Sequence, residues 1–459
     1  MLRLKHLFLL VFFLALMDLG HCWQSGVAQT PPTFQQQVER YASEVRGSQA
    51  VAALLIAASG TEMAFAGDTG NPDHPVPTAD TLFEIGSITK VFTALLLADQ
   101  VNQGAVTLDM PVGDLLPGDF ATDHEIPPIP LQTLPSHTSG LPRLPFSRIL
   151  RASLYPANPY RGSQPEELYR AIRALSPEAA THCEYSNVGP ALLGQLLAAS
   201  AGRPYETLVQ DRVLRPLGLA DTVFELDPEL TRRLAQGHQE NTLPTANWQL
   251  DAYAPAGGLK STLTDMGRFL AAAIAADWPP LALSLQPQSE DCESNFGLGW
   301  IFTELEDAPM IMHNGRTGGY YAFVGWLPEA GRGLVLLTNM SDAQGNQVAT
   351  ALLTGQPLPS RDRPFVPLMM TAFLVGLLIF QGWQFARSQR HRDHFKFLED
   401  STEILLLLAL SYQLGPWQWL PIALWWGLLV LFVWLIIGRL WHLRSLPPAA
   451  VSPQISGWR

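Results

Sequence analysis

Strand-like segments lie far apart in this sequence, and their separation constrains the fold more than any other feature. Residues 50–57 and 62–66 are apolar runs on either side of the turn sequence Ser59-Gly60, as in a β-hairpin. Similar short runs return only at 297–303, 310–313, 320–326 and 333–339. The order therefore predicts an α+β fold, in which an antiparallel sheet is flanked by helices and a helical lobe is inserted. A cleft between the two parts is the expected place for an active site.

The residues between the two groups of strands carry helical patterns with recognisable stop signals. The expected helices span 35–46, 87–103, 190–201, 205–214, 264–275 and 347–353. Either Thr262 or Thr264 is expected to cap the helix at 264–275, which has Asp265 in its first turn. Residues 105–180 are rich in proline and are predicted to be largely loop.

Ser87 and Lys90 stand three residues apart where the helix at 87–103 begins. Positions i and i+3 share one face of a helix, about 5–6 Å apart at Cβ. A serine hydroxyl needs a nearby base to become a nucleophile, and a lysine can serve if a dry, electropositive site lowers its pKa. The helix start also offers free N–H groups to an anionic intermediate. Ser87 is therefore a candidate nucleophile and Lys90 its activator; the alternative is a capping serine and a surface lysine.

A second motif, Tyr185-Ser186-Asn187, precedes the helix at 190–201. A tyrosine can pass a proton to a leaving group when nearby cations hold its pKa down. Asn187 carries both a donor and an acceptor, which suit a substrate amide. The alternative is a buried tyrosine beside a turn asparagine.

A third motif, His313-Asn314-Gly315, ends a predicted strand and is followed by Arg316. Gly315 would allow a substrate backbone to lie close to the strand. The N–H of Arg316 is a candidate second oxyanion donor beside that of Ser87. His313 can lend polarity or a proton; a solvated turn histidine is the alternative.

Composition argues against several classes of function. Residues 1–360 hold 20 basic and 36 acidic residues, so this part of the chain repels phosphate backbones and nucleic acid is not an expected partner. Neither His-Glu-x-x-His nor Gly-x-x-x-x-Gly-Lys occurs in the sequence, so no metal and no cofactor are expected. The cysteines Cys22, Cys183 and Cys292 are too few for a disulfide framework. A Cys183–Cys292 bridge and free thiols both stay open.

Both ends of the chain have the composition of membrane-targeting segments. Residues 1–22 begin with basic residues followed by an apolar core at 7–17, which predicts a signal peptide or an uncleaved N-terminal anchor. Residues 365–385 contain no charge, and neither do residues 404–438, which Gly415-Pro416 interrupts. We predict a membrane region at 361–459 with about three transmembrane helices, at 365–385, 402–415 and 417–438.

The distribution of basic residues predicts the orientation of these spans. Arg387, Arg390, Arg392 and Lys396 follow the first span, and the chain ends with further arginines. Such residues collect on the cytoplasmic side. Three spans then place residues 23–360 as one domain on the periplasmic or extracellular side of the cell membrane.

Taken together, the motifs resemble those of the β-lactamase-related serine hydrolase family. In order, they are Phe83-Glu84-Ile85-Gly86-Ser87-Ile88-Thr89-Lys90, His137-Thr138-Ser139-Gly140-Leu141-Pro142, Tyr185-Ser186-Asn187, Pro255-Ala256-Gly257-Gly258-Leu259-Lys260-Ser261-Thr262, Phe296-Gly297-Leu298-Gly299-Trp300 and His313-Asn314-Gly315. The resemblance covers about residues 33–355. The family includes class C β-lactamases, D-alanyl-D-alanine carboxypeptidases, penicillin-binding proteins, esterases and D-aminopeptidases. The resemblance implies a class C β-lactamase-like fold and a serine acyl-enzyme.

The resemblance also implies roles for the candidate residues. Ser87 would attack a carbonyl, Lys90 would accept its proton and Tyr185 would pass one to the leaving group. Asn187 would hold the acyl side chain. His313 stands where many members have lysine, which fits the peptidase and esterase branches better than strong β-lactamase activity; a rival alignment places Arg316-Thr317-Gly318 there.

The sequence thus predicts a membrane-anchored hydrolase that acts outside the cytoplasm on D-alanyl peptides, β-lactams or esters. Its expected partners are a small-molecule or peptide substrate and the lipid bilayer. The alternative hypothesis is a non-catalytic, penicillin-binding-like sensor that binds cell-wall fragments in the same pocket and signals through its spans.

Overall fold

An antiparallel sheet joins the two ends of the folded domain in the computed structural model. The structure describes residues 32–44, 49–121, 128–154, 158–175, 183–239, 244–288, 295–305 and 307–359. Within these ranges, seven strands form one sheet in the order β2-β1-β9-β8-β7-β6-β5, and each neighbouring pair is antiparallel. The strands are β1 (Val51–Ala57), β2 (Gly60–Ala66), β3 (Phe83–Glu84), β4 (Lys260–Ser261), β5 (Asn295–Phe296), β6 (Ile301–Leu305), β7 (Ala308–Arg316), β8 (Tyr321–Leu327) and β9 (Arg332–Thr338). Strands β3 and β4 pair with each other in a separate, two-stranded antiparallel sheet.

Helices cover the sheet and build the lobe between the early and the late strands. They are α1 (Phe34–Glu44), α2 (Thr89–Asn102), α3 (Gly118–Ala121), α4 (Phe146–Leu154), α5 (Pro165–Arg173), α6 (Val188–Ala201), α7 (Tyr205–Val209), α8 (Pro228–Arg233), α9 (Ala254–Gly257), α10 (Leu263–Ala275), α11 (Pro279–Ser284) and α12 (Gly345–Thr354). Tighter 3-10 turns occur at Gly86–Ile88, Val112–Leu115, Leu131–Thr133 and Asp251–Tyr253, and a π-turn occurs at Gln210–Leu214. The predicted α+β architecture is confirmed.

The sheet has an apolar core on each face, because successive side chains of a strand point to opposite sides. On β9, Leu334 and Leu336 join the core beneath α1 and α12, whereas Val335 and Leu337 join the larger core beneath the inserted helices. The hairpin of β1 and β2 pairs with β9 through β1, with Val51 opposite Thr338. A strand from the start of the domain thus pairs with one from its end, which closes the domain around the helical insertion.

Helix α2 occupies the middle of the larger core. Residues 89–100 are all buried, and the helix packs against α6, α9 and α11. A helix that is apolar all round is expected at a buried position rather than on a surface. The residues at the start of α2 are therefore held on every side by packed elements.

Residues 105–180 are largely irregular where the structure describes them, as predicted, although two short, amphipathic helices, α4 and α5, lie in this proline-rich stretch. Two other local predictions need correction. The strand predicted at 297–303 begins only at Ile301, because residues 297–300 form the turn between β5 and β6, in which Gly299 has φ +79°. Ser87 lies in a 3-10 turn just before α2 rather than in the α-helix itself.

The helix cap that the sequence left open is Thr262. Its side-chain oxygen accepts a hydrogen bond from the backbone N–H of Asp265 at 3.1 Å, and α10 begins at Leu263. The hydrogen bond satisfies one of the free N–H groups of the first turn.

Cys183 is disulfide-bonded in the structure, so it is not a free thiol.

The predicted membrane segments lie outside the described residues. These are the N-terminal segment 1–22 and the spans at 365–385, 402–415 and 417–438. In the part of the chain that the structure describes, no helix combines the length and the apolar character needed to cross a bilayer.

The end of strand β7 presses directly on the turn that carries Ser87. A Cβ placed on Gly315 would lie 1.9 Å from the Ile85 carbonyl oxygen, and one on Gly86 would lie 2.9 Å from the Arg316 nitrogen. Gly86 also has φ +48°, a conformation that favours glycine. Both glycines are therefore required for the strand and the turn to touch backbone to backbone.

We expect Gly315→Ala to destabilise the domain, because the added methyl group forces the strand and the turn apart. Overpacking of this kind costs about 1–3 kcal/mol or more. Gly113→Ala is the matched control, since a Cβ there meets nothing within 4 Å. Urea unfolding measures both variants; equal stabilities would contradict the close contact between β7 and the Ser87 turn.

Candidate active site

The side chains of Ser87 and Lys90 meet at the start of α2. Lys90 Nζ lies 2.8 Å from Ser87 Oγ and donates a hydrogen bond to the Ala256 carbonyl oxygen, also at 2.8 Å. Lys90 is fully buried, whereas Ser87 is partly exposed. The hydroxyl therefore faces solvent and an incoming substrate, with the amine directly behind it.

Burial lowers the pKa of Lys90 well below its ordinary value of 10.5, and the positive charge of Arg143 lowers it further. Both effects disfavour the ammonium form. A neutral amine has one lone pair and two N–H groups. Since one N–H is directed at Ala256, the lone pair remains available to the proton of the Ser87 hydroxyl.

The segment around α9 holds this amine in place. Thr93 Oγ1 donates to the Pro255 carbonyl oxygen at 2.6 Å, one residue before the acceptor of Lys90. Thr89 Oγ1 donates to the Gly86 carbonyl oxygen and accepts from the Leu259 N–H. Threonines of α2 thus bind the Ser87 turn on one side and the 255–259 segment on the other.

Tyr185 completes the group predicted to carry the chemistry. Its ring lies 5.1 Å from Lys90 Nζ and 5.5 Å from the guanidinium carbon of Arg143, measured to the ring centroid. The ring of His137 packs against it at 4.4 Å between centroids. The structure therefore brings Tyr185 together with Ser87 and Lys90, although almost a hundred residues separate them in the chain.

The cations near Tyr185 do not hold its pKa below the ordinary value of 10. Burial raises the pKa of Tyr185 to about 12, although a hydrogen bond with Ser87 and the charge of Arg143 both lower it. Desolvation outweighs the cations, because it penalises the phenolate strongly. Tyr185 is therefore a protonated phenol at neutral pH, suited to donating a proton rather than to accepting one.

Asn187 lies at the inner edge of the site and is largely committed to the protein. Its Nδ2 donates to the Tyr160 hydroxyl at 3.0 Å, and its backbone N–H donates to the Arg143 carbonyl oxygen at 3.2 Å. The side-chain oxygen remains as an acceptor for a substrate N–H. Its role in binding the acyl side chain stays a prediction.

Two buried histidines stand close to Lys90. His313 is fully buried, and its Nδ1 lies 2.6 Å from the Asn314 carbonyl oxygen, so Nδ1 carries the proton. Its Nε2 has no partner among the described residues. Burial and the charge of Lys90 lower the pKa of His313 to about 3, and the same causes lower that of His137.

His313 thus contributes no positive charge at neutral pH, in contrast to a lysine at the same place. The other predicted residues of this motif lie at the junction with the Ser87 turn. A Cβ built on Gly315 would lie 2.9 Å from the Ser87 nitrogen, and the Arg316 nitrogen lies equally close to a Cβ built on Gly86. The backbone segments that carry these two amides are therefore in close contact, and a joint role of the amides as an oxyanion hole stays a prediction. The substrate-binding roles of His313, Gly315 and Arg316 stay predictions.

Sequence reasoning did not single out three residues that the structure places at the site. Arg143 directly follows the motif that ends at Pro142, and this position was the available signal. The carbonyl of Ala256 belongs to a motif that was noticed without a role. Tyr160, which supports Asn187, had no signal because it lies in an irregular, proline-rich stretch.

Comparisons with known proteins agree with this geometry. The family model described as beta-lactamase matches residues 34–354. The D-alanyl-D-alanine-carboxypeptidase/endopeptidase AmpH of Escherichia coli (strain K12) is 28% identical over 365 residues, which cover 72% of this chain and 92% of that protein.

Two solved structures have the same fold. The beta-lactamase/D-alanine carboxypeptidase from Pseudomonas syringae superposes with a TM-score of 0.61 at 20% identity, covering 71% of this chain and 98% of that one. For the class C beta lactamase from Rhodobacter sphaeroides the TM-score is 0.58 at 22% identity, with coverage of 69% and 97%. At these identities the likeness shows the fold alone, and it confirms the class C β-lactamase-like fold.

The buried amine leads to a prediction about stability and pH. Between the lowered pKa of folded Lys90 and its ordinary value of 10.5, the unfolded chain binds one more proton than the folded chain. Lys90 should therefore make the free energy of unfolding increase with pH in this interval, by on the order of 1 kcal/mol per pH unit at most. Buried tyrosines with raised pKa values act in the opposite direction near pH 10, so the expected result is a less positive slope in Lys90→Met than in the wild type.

Urea unfolding at pH 8 and pH 10 tests this expectation. Ser87→Ala is the matched control, because it alters the same site but keeps the amine and should retain the slope. Identical slopes in the wild type and in Lys90→Met would mean that the amine keeps an ordinary pKa in the folded state.

Proposed function

The chain belongs to the β-lactamase family, and from this premise we propose that it is a serine hydrolase that forms an acyl-enzyme on Ser87 outside the cytoplasm. The observation that carries the proposal is the 2.8 Å contact between Ser87 Oγ and the buried amine of Lys90, whose pKa burial lowers. A serine without such a base is a poor nucleophile at neutral pH. The site therefore contains an activated hydroxyl that is open to solvent.

The proposed reaction follows from the protonation states. Ser87 Oγ attacks the carbonyl carbon while its proton moves to Lys90 Nζ. The tetrahedral oxyanion is bound by the N–H groups of Ser87 and Arg316. When the bond to the leaving group breaks, Tyr185 gives its proton to the departing nitrogen or oxygen. The proton held by Lys90 then restores Tyr185, and water hydrolyses the ester on Ser87.

For the substrate, we propose a D-alanyl peptide, with esters as further substrates and β-lactams as weaker ones. The neutral His313 supports this order, because it offers no fixed charge to a β-lactam carboxylate at the place where many family members have lysine. The name of the relative AmpH, a D-alanyl-D-alanine-carboxypeptidase/endopeptidase, points the same way.

We further propose that residues 23–360 act on the outer side of the cell membrane, anchored by the charge-poor region at 361–459. The disulfide at Cys183 supports this location, since disulfides persist mainly in oxidising compartments. A hydrolase of cell-wall peptides needs access to that same side.

Labelling with a fluorescent penicillin or a fluorophosphonate tests the nucleophile. We expect Ser87→Ala to abolish labelling and Lys90→Ala to reduce it by at least about 100-fold, because a general base typically contributes 10²–10⁴-fold. Ser59→Ala is the matched control, since this serine is exposed at the turn between β1 and β2. Labelling that persists in Ser87→Ala would exclude Ser87 as nucleophile. A labelled wild type that never releases product from a D-alanyl-D-alanine peptide would favour the sensor hypothesis.

Reporter fusions test the membrane topology. A reporter joined after residue 459 should report a cytoplasmic location, and one joined after residue 359, at the end of the described domain, an external one. Alkaline phosphatase and green fluorescent protein distinguish the two sides. An external signal from the fusion at residue 459 would contradict three spans.

A further inference from the structure

Arg143 presents an unpaired cation at the open side of the site. Its side chain is exposed, and its guanidinium carbon lies 5.5 Å from the centroid of the Tyr185 ring. In the described part of the chain, no carboxylate lies within ion-pair distance of this guanidinium. An exposed arginine that stacks on an aromatic ring and leaves its N–H groups free is well placed to receive a ligand.

The main chain holds Arg143 firmly against the second motif. Its carbonyl oxygen accepts from the Asn187 N–H at 3.2 Å, and its N–H donates to Glu184 Oε1 at 3.4 Å. These two contacts lie on either side of Tyr185 in the sequence. The main chain of Arg143 is therefore fixed beside the tyrosine, and its guanidinium lies against the Tyr185 ring.

The charge of Arg143 acts on the side chains proposed to react, whereas the charge of Arg316 acts elsewhere. Arg143 lowers the pKa of Lys90 and of Tyr185. The charge of Arg316 acts instead on Tyr321, within the sheet. With His313 uncharged, Arg143 supplies a positive charge beside the reacting groups.

We propose that Arg143 is a specificity-determining residue that binds a carboxylate of the substrate next to the scissile bond. The planar guanidinium matches a carboxylate with two parallel N–H···O bonds, which a lysine cannot reproduce. The carboxylate belongs either to the leaving group, as the C-terminus of a D-alanyl-D-alanine peptide, or to the acyl group. This inference rests on the proposed function, since it specifies the substrate of the same site.

Binding to the Ser87→Ala protein tests the proposal without requiring turnover. Three probes separate the two sources: N-acetyl-D-alanyl-D-alanine as the free acid, its C-terminal amide, and the N-succinyl form of that amide. We expect one of the two acids to bind about tenfold more tightly than the neutral amide, as a charge-assisted pair predicts. The acid that does so identifies the position of the carboxylate.

When Arg143→Gln is added to the Ser87→Ala protein, the ratio of acid affinity to amide affinity should fall to about one. Arg143→Lys should retain part of this ratio. Arg170→Gln is the matched control, because it removes the same charge from an exposed position on α5 and should keep the full ratio. The proposal is overturned if neither acid is preferred, if no probe binds, or if the preference survives Arg143→Gln. Wild-type turnover of the same peptides, and its loss in Ser87→Ala, measures the proposed function separately.

Discussion

The burial of one amine is the constraint on which the rest of the structure depends. Lys90 is fully buried at the centre of the domain, where it reaches the hydroxyl of Ser87 and the carbonyl of Ala256. An ammonium ion in such a place would carry a large desolvation cost, so the surroundings lower the pKa of Lys90 and favour the neutral amine, which can accept a proton. The buried helix α2, the segment around α9 and the end of β7 all serve to exclude water from this point while they leave Ser87 open.

The distribution of charge around the Lys90 amine also reflects the cost of burying a cation. Two histidines lie near Lys90, and both are buried and neutral, because a further cation inside the core would not be compensated. The positive charge of Arg143 stays outside, on the solvent side of the Tyr185 ring. The site thus has buried, neutral histidines within and an exposed cation at its edge, so the proposed proton transfer and the proposed substrate recognition would occur at different places.

Periodicity and motifs predicted most of the fold and of the candidate site. The pattern of apolar runs bounded by turn residues located the long strands, since β8 and β9 lie within one residue of the expected bounds. It missed α4 and α5, because short amphipathic helices among prolines leave little signal. The spacing of Ser87 and Lys90 indicated a pair, but the position of Arg143 depends on tertiary contacts with Glu184 and Asn187, which no local pattern encodes.

The direction of the Tyr185 pKa shows where reasoning from residue types reaches its limit. Neighbouring cations lower the pKa of a phenol and burial raises it, and only the packed structure shows that burial prevails, at about 12. The raised pKa therefore assigns different steps of the proposed reaction to Tyr185 and Lys90. A phenol with so high a pKa is already protonated at neutral pH and therefore cannot accept the proton of Ser87. That proton is expected to go to the amine, whose pKa is shifted the opposite way. Because the phenol holds its own proton until a stronger base forms beside it, it releases that proton only when the leaving group departs. The two opposite shifts arise from the same dry environment, and together they give the site one neutral base and one neutral acid at the same pH.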